Sequence, residues 1–519
     1  VDHEAKVFVN GQLAGSHRGG YAPFSFDITD LLGKKDGADA ATELAVEVKD
    51  PTDTGSQCRG KQVREPRGIW YTSTSGIWGT VWLEAVPAIR IENVRCRADL
   101  GAKRLSVAVS LAGPRAAAGV AAEAAPSGVV QAILTEGGRP VSRAEVRGSG
   151  RVELDFTIES PRLWSPEDPF LYGLELSLDS GDEATSYAAM RSVALGTDAE
   201  GRTRIFLNGK PYFNNAVLDQ GYWPEGNLTP PSDEALASDI SAAKALGFNT
   251  IRKHVKVESE RWYWHCDRLG VLVWQDVPSG GLPMSFFHSA ILGFAGIRLN
   301  DTRLLGRFGR ADKAGRDDFE REAAEIVDHL SFFPCIVVWV PFNEGWGQFE
   351  SSRIAGEISA RDPGRLVDAA SGWYDSGSGH FASRHDYTKS PRMPRRLLAR
   401  DGSPRAAIIS EYGGLTLRVE GHSTEDKRQF GYVGASDGDD LALRFETLAA
   451  HLADLARQGL AAAVYTQITD VEIERNGLWT WDRRKAKADV ARIRAANEAI
   501  TKAGSMDASP SITSKEHKE

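Results

Sequence analysis

The sequence predicts a multidomain chain in which two β-rich segments precede a (β/α)8 TIM barrel. After Gly201, short apolar runs alternate with amphipathic helical stretches, which implies parallel strands joined by helical crossovers. Before Gly201, short stretches alternate apolar and polar residues at period two. Two apolar runs, Cys335-Ile-Val-Val-Trp339 and Ala406-Ala-Ile-Ile409, then give way abruptly to the carboxylates Glu344 and Glu411. A charge at the C-terminal mouth of a doubly covered strand is costly, and that mouth is where such barrels keep their chemistry.

Residues 1–87 read as all-β. Val7 and Val9 alternate ahead of an Asn10-Gly11 turn, a strong hairpin signal. Leu44-Ala-Val46-Glu-Val48 and Val81-Trp82-Leu83-Glu84 alternate in the same way. Residues 88–197 carry short strands with turn residues between them, among them Leu105–Val109, Val152–Phe156 and Leu174–Leu178, which suggests a β-sandwich. The Ala/Gly/Pro-rich stretch from Gly113 to Gly128 reads as a mobile loop.

Residues 198–503 form the barrel segment. Its first strand ends at Asp219. Ser232 is a good N-cap for a helix whose face is Leu236, Ile240, Ala243 and Leu246, closed by Gly247. Phe248–Arg252 is the next strand, followed by a helix ending at Gly270 and the strand Val271–Trp274. A helix with Phe319, Ala323, Ile326, Val327 and Leu330 on one side leads into the Glu344 strand. Strands at 365–370, 384–387, 406–410 and 462–468 complete eight, so Glu344 follows the fourth and Glu411 ends the seventh. A last helix carries Val490, Ile493, Ala496 and Ile500, and the polar residues 504–519 read as a disordered tail.

The 519 residues exceed one ordinary domain, and a composition of 41% hydrophobic and 26% charged residues describes a globular protein. No apolar run approaches the ~20 residues of a membrane span. A net charge of −9 without a basic stripe argues against a nucleic-acid partner. Cys58, Cys96, Cys266 and Cys335 are scattered without metal or redox spacing and read as packing residues, which leaves the compartment open. The chain begins Val-Asp-His, without a Met or a signal peptide, and reads as starting inside a domain.

Beyond the two glutamates, several stretches resemble glycoside hydrolase family 2, the family of β-galactosidases, β-glucuronidases and β-mannosidases. Pro334-Cys-Ile-Val-Val-Trp339…Asn343-Glu344 is similar to its acid/base signature, with Phe333 where His is common and Val340 where Gly or Ser usually follows the Trp. Asn249-Thr-Ile-Arg252-Lys-His254 resembles its Asn-x-x-Arg…His-Tyr-Pro signature, one residue shorter and without Tyr-Pro. The stretches 19–28 and 75–84 resemble its sugar-binding jelly roll, and 163–172 also looks like the family. The resemblance implies a partial jelly roll, an immunoglobulin-like β-sandwich and the barrel. That jelly roll is normally about twice as long, so its opening strands are expected to be missing.

Two glutamates facing one cavity supply what a retaining glycosidase needs, one ionised to attack and one protonated to donate. The alternative is two unrelated strand-end acids held in salt bridges. The resemblance assigns Glu411 as nucleophile and Glu344 as acid/base, and gives Tyr387 a hydrogen bond to the nucleophile. Asn343 would bond the sugar's 2-hydroxyl, or else a neighbouring strand end. Arg252 reads as a salt-bridge partner fixing the nucleophile's surroundings, and His254 as either a hydroxyl contact or a structural residue. Asp219 reads as part of a sugar-hydroxyl clamp. Trp346, Trp373 and Trp479 lie past strand ends, where one or two of them could stack on a sugar.

Galactosidases of the family often use Mg²⁺, but those ligands do not map onto this chain. Neither a metal nor a cofactor is expected. Family glucuronidases carry Asn-x-Lys before the eighth-strand loop. Here Glu474-Arg-Asn476 precedes Gly477-Leu-Trp479, and Glu474 would repel a substrate carboxylate. The expected substrate is a neutral β-glycoside, β-galactoside first, then β-mannoside or β-glucoside. An inactive carbohydrate-binding remnant is the alternative from another class. The expected partner is a carbohydrate, with no nucleic acid and no membrane; a homo-oligomer stays open.

Overall fold

Unbroken apolar strands must be covered on both faces, and the barrel provides that cover. The computed structural model describes residues 1–32, 41–113 and 125–505, apart from 286, 287, 289, 290, 295, 298 and 425–427. Eight parallel strands build the barrel: Asn214–Asp219, Thr250–Lys253, Leu272–Asp276, Ile336–Val340, Leu366–Val367, Phe381–Asp386, Ala406–Gly413 and Leu460–Thr466. Numbered in that sequence, they lie in the order 5-4-3-2-1-8-7-6. The fifth and sixth meet through the His380 N–H, which donates to the Val367 carbonyl at 2.9 Å. The fourth, seventh and eighth strands are buried at every residue. Glu344 therefore follows the fourth strand and Glu411 lies on the seventh, as expected.

The helices start where side chains replace the missing backbone acceptors. Ser232 caps Asp233–Ala245, Asp312 caps Lys313–Leu330, Asp437 caps Gly438–Gln458 and Asp489 caps Val490–Gly504. Gly270, at φ +73°, closes Glu260–Leu269 in the left-handed conformation that favours glycine. Residues 506–519, most of the expected disordered tail, lie outside the described residues.

The first segment holds a three-stranded sheet of Glu4–Val9, Gln12–Arg18 and Leu44–Lys49, with the hairpin turn at Asn10-Gly11 as predicted. The predicted strand at 81–84 is absent. Trp82 and Leu83 are 67% and 80% exposed. Their alternation has no sheet to pair with among the described residues, so the pattern alone does not make a strand.

The second segment packs two antiparallel sheets. One joins Arg151–Thr157, Arg104–Ala112 and Arg90–Asp99; the other joins Glu183–Ala188, Tyr172–Leu178, Ser127–Glu136 and Arg139–Ser149. Leu105, Val107, Val130, Leu154 and Leu174 fill the space between them. Ser127 and Gly128, read as the end of a mobile loop, open a strand instead, because Ser127 pairs in register with Ser149. Residues 114–124 of that stretch lie outside the described residues. A small sheet of Val193–Thr197, Thr203–Leu207 and Lys210–Pro211 leads into the barrel.

All four cysteines are free. No helix among the described residues is long and apolar enough to cross a membrane.

The sandwich is pinned to the barrel at Asp267. Trp164 Nε1 donates to its carbonyl at 2.8 Å, and Tyr187 Oη donates to its carboxyl at 2.7 Å. Burial pushes that carboxyl up to about 7. Trp164 is fully buried, so Trp164→Ala should cost about 3–5 kcal/mol in equilibrium urea unfolding. Trp164→Phe, which keeps most of the packing and loses the hydrogen bond, should cost clearly less.

Candidate active site

The fourth strand delivers Asn343 and Glu344 into a sharp turn. Glu344 sits at φ +53°, a left-handed conformation unusual for a side-chain-bearing residue, and its N–H donates to the Ser371 carbonyl at 2.9 Å. Gly345 follows at φ +76°, where a Cβ would lie 2.4 Å from the Tyr374 ring. Only glycine fits there, and the turn it permits swings the Glu344 carboxylate over the barrel mouth. Glu411 projects from the seventh strand. Its side chain is 5% exposed, against 21% for Glu344. An oxygen of each carboxylate and a ring nitrogen of His385 all lie within 4.8 Å of one another.

Arg252, at the end of the second strand, is fully buried and organises this centre. It donates twice to Asp276, both at 2.9 Å, and to Asn343 Oδ1 at 2.9 Å. Its remaining nitrogen donates to the Ser410 carbonyl at 3.0 Å and to Glu411 Oε1 at 3.2 Å. Burial opposes a charge on Asp276, but Arg252 and His254 hold its carboxyl below the ordinary range. Burial likewise raises Glu411, yet His385, His254, Arg252 and Lys61 outweigh it and hold the carboxyl at about 2. His254 is itself pushed down by burial and then by Lys61. With that ring neutral at pH 7, the Arg252 guanidinium remains as a permanent positive charge bonded to Glu411.

Two further side chains hold the two carboxylates. Tyr387 Oη donates to Glu411 Oε2, and its ring stacks on Tyr432 at 3.9 Å and 4°. His385 places Nδ1 2.9 Å from Glu344 Oε1, while its Nε2 lies 3.1 Å from Ser371 Oγ and 3.5 Å from Glu411 Oε1. Asp368, past the fifth strand, accepts from Ser383 at 3.0 Å, and burial pushes it up to about 7. Glu344, His385 and Glu411 offer donor atoms that suit a divalent ion. An ion there would occupy both carboxylates at once.

Residues 89–191 match the model of Glycosyl hydrolases family 2. A β-galactosidase from Aeromonas hydrophila subsp. hydrophila is 26% identical over 443 residues, which is 79% of this chain and 38% of that protein. A β-mannosidase B from Aspergillus terreus is 27% identical over 400 residues, 70% of this chain and 43% of its own length. The chain is similar to glycosyl hydrolase family 2 in sequence and in fold. It spans less than half the length of these curated relatives. A family 2 β-galacturonidase from Eisenbergiella tayi shares the fold, with a TM-score of 0.67 at 17% identity over 96% of this chain and 85% of that one.

Within this barrel the predicted residues occupy different settings. Glu344, Glu411, Asn343, Arg252 and Tyr387 converge. His254 reaches the same cluster, its Nδ1 2.8 Å from Asp276, while its buried Nε2 has no hydrogen bond among the described residues. Asp219 does not offer a free carboxylate for a clamp. It accepts from Lys253 Nζ at 2.5 Å and from the Gly221 N–H at 2.7 Å, in a buried network that includes Glu258. The cause is register: Asp219 and Lys253 sit opposite each other on neighbouring strands.

The tryptophans occupy three different settings. Trp346 is half-buried and meets Trp70 of the first segment edge-on at 4.8 Å. Trp373 is 8% exposed, packed in a cluster with Phe308 and Tyr374, and 5.9 Å from His385. Trp479 is half-buried in the eighth-strand loop.

His385 was not foreseen, although it lies two residues before Tyr387 and so shares its strand face. Lys61 and Tyr71, from the first segment, were also missed. Tyr71 Oη donates to Glu474, which also accepts from Asn476 at 3.0 Å.

Removing the guanidinium would leave Asp276 and Glu411 buried without their shared cation. Arg252→Met should therefore cost about 3–5 kcal/mol of stability at neutral pH. The pH sign follows from the lowered Glu411 value. Its contribution is complete above the ordinary Glu range and is lost as pH falls toward 2. The gap between wild type and Arg252→Met in chemical denaturation should accordingly narrow on acidification.

Proposed function

We propose that this chain carries the catalytic centre of a retaining exo-β-glycosidase acting on neutral β-glycosides, with β-galactosides first. The observation that carries this reading is the approach of the Glu344 and Glu411 oxygens, within 4.8 Å. Retaining sites hold their carboxyl groups about 5–5.5 Å apart, whereas inverting sites need about 6.5–9.5 Å to admit water.

Glu411, held ionised by Arg252, attacks the anomeric carbon and forms a glycosyl ester. Glu344 gives its proton to the departing oxygen, and later takes one from the water that cleaves the ester. Arg252 fixes Asn343 through its carbonyl oxygen, and the Asn343 amide nitrogen, unbonded among the described residues, then donates to the 2-hydroxyl. Tyr387 and His385 hold the two carboxylates in place. Neutral His254, its Nδ1–H committed to Asp276, has Nε2 left to accept from a sugar hydroxyl. Of the three tryptophans, Trp346 and Trp373 have the surroundings to stack on a sugar face.

The neutral sugar is favoured by the eighth-strand loop, where buried Glu474 and Asn476 bond each other rather than presenting a cation to a carboxylate. The names of two relatives, β-galactosidase and β-mannosidase, fit a neutral sugar, whereas the β-galacturonidase of similar fold is named for an acidic one. β-Mannoside, β-glucoside and β-glucuronide hydrolysis are the alternatives within the family. An inactive sugar-binding remnant is disfavoured, because both carboxylates and their supporting residues are in place.

Aryl β-galactoside, or another neutral aryl β-glycoside, should be cleaved well above aryl β-glucuronide in a side-by-side kcat/KM panel. A clear preference for the glucuronide would refute the reading of the eighth-strand loop. Glu411→Gln should abolish turnover of every substrate. Glu344→Gln should retain the first step on a glycoside with a good leaving group and then stall. Azide should restore its turnover and yield a β-glycosyl azide, identifiable by NMR. Rescue of Glu411→Gln to an α-azide would reverse the two roles.

A further inference from the structure

The first segment sends a cation into the barrel mouth. Arg59-Gly60-Lys61 is wedged against the ends of barrel strands. A Cβ on Gly60 would lie 2.6 Å from the carbonyl oxygen of Val255, the neighbour of His254, and the Gly60 N–H donates to Tyr21 Oη at 2.7 Å. Arg59 donates to the Gly281 carbonyl at 3.4 Å, and its guanidinium stands 5.2 Å from the Trp346 ring. The Lys61 carbonyl accepts from Tyr71 N–H at 2.8 Å. The backbone that aims Lys61 is therefore fixed on both sides.

Lys61 is only 9% exposed, and its ammonium has no hydrogen bond or ion pair among the described residues. Its recorded contact is the Tyr71 ring, at 5.8 Å. The other buried lysines are all paired: Lys253 with Asp219, Lys256 with Glu258 and Lys487 with Asp470. A lysine this deeply seated, whose ammonium keeps contact with solvent and has no protein partner among the described residues, points to something held there in the working protein. Its charge reaches both Glu411 and His254, whose proton affinities it lowers. The approach of Gly60 to Val255, next to His254, places Lys61 beside the centre.

What it would hold follows from its wall. Tyr71, under the ammonium, has its hydroxyl on Glu474, so a substrate carboxylate brought to Lys61 would meet a second carboxylate nearby. A sugar hydroxyl oxygen accepts from an ammonium without that repulsion.

We propose that Lys61 donates a hydrogen bond to a hydroxyl of the bound neutral sugar, making the first segment one wall of the sugar pocket and Lys61 a determinant of sugar binding. This rests on the glycosidase reading for its kinetic consequence, though not for its binding one. The test uses the full chain with Lys61→Met and Lys61→Arg. It measures kcat/KM on aryl β-galactoside, β-mannoside, β-glucoside and β-glucuronide, calorimetric binding of free galactose, mannose and glucose, and the thermal midpoint.

Lys61→Met should lose about 10–100-fold in kcat/KM on the best neutral glycoside, and comparably in affinity for its free sugar. Lys61→Arg should recover part of both. The thermal midpoint of Lys61→Met should hold, because the ammonium makes no hydrogen bond or ion pair among the described residues; a merely structural lysine would lower it. Unchanged kinetics and sugar affinity in Lys61→Met would overturn the proposal, as would wild-type protein that binds none of the three sugars. A loss confined to the glucuronide would overturn it in favour of a carboxylate grip. Sugar binding that depends on Lys61 in a chain that cleaves no glycoside would uphold the inference while sinking the glycosidase reading.

Discussion

The buried guanidinium of Arg252 is the interaction on which the site depends. A single planar group reaches strand ends that are far apart in sequence, holding Asp276 from the third strand, Asn343 after the fourth, and Ser410 and Glu411 from the seventh. Such a group must have its donors satisfied and its charge balanced, or the barrel interior would exclude it. The same requirement that keeps it buried therefore locks the carboxylates in register. Packing and electrostatic preparation of Glu411 are one arrangement here, which is why a change at Arg252 cannot be read as purely structural or purely chemical.

Around that hub the two carboxylates experience different surroundings. Glu411 is walled in, flanked by cations and bonded by Tyr387, and it stays ionised far into acid. Glu344 stands more open to the mouth, with His385 as its neighbour. A pair that differs in this way can divide attack from proton transfer without either group changing its position. The first segment adds to the division, since Lys61 brings positive charge from outside the barrel.

Much of the barrel was legible because doubly covered strands read as unbroken apolar runs, and Glu344 and Glu411 were legible because each interrupts one. The same rule marked Asp219, another strand-end acid, without showing its partner. Only its register opposite Lys253 reveals that the charge is spent inside the wall. Val81–Glu84 failed for the converse reason: alternation is a local pattern, but a strand needs a neighbour. His385 had no interrupted run to mark it. Tyr71 was invisible because its partner, Glu474, lies 403 residues away, and Lys61 because nothing local marks a lysine set beside a distant strand end. A local pattern can name an element, whereas a contact between distant segments must be seen in three dimensions.

The backbone at Glu344 has a consequence for how this sequence came to be. At φ +53° it occupies territory that glycine holds freely and other residues hold at a cost on the order of 1 kcal/mol. Selection for a sturdy fold alone would have settled glycine at this position long ago. A charged side chain there is held at a conformational cost that packing alone does not call for. Any redesign that scores only thermal tolerance would therefore erase this residue among its first choices, and would return a sturdier barrel with one carboxylate of its mouth gone.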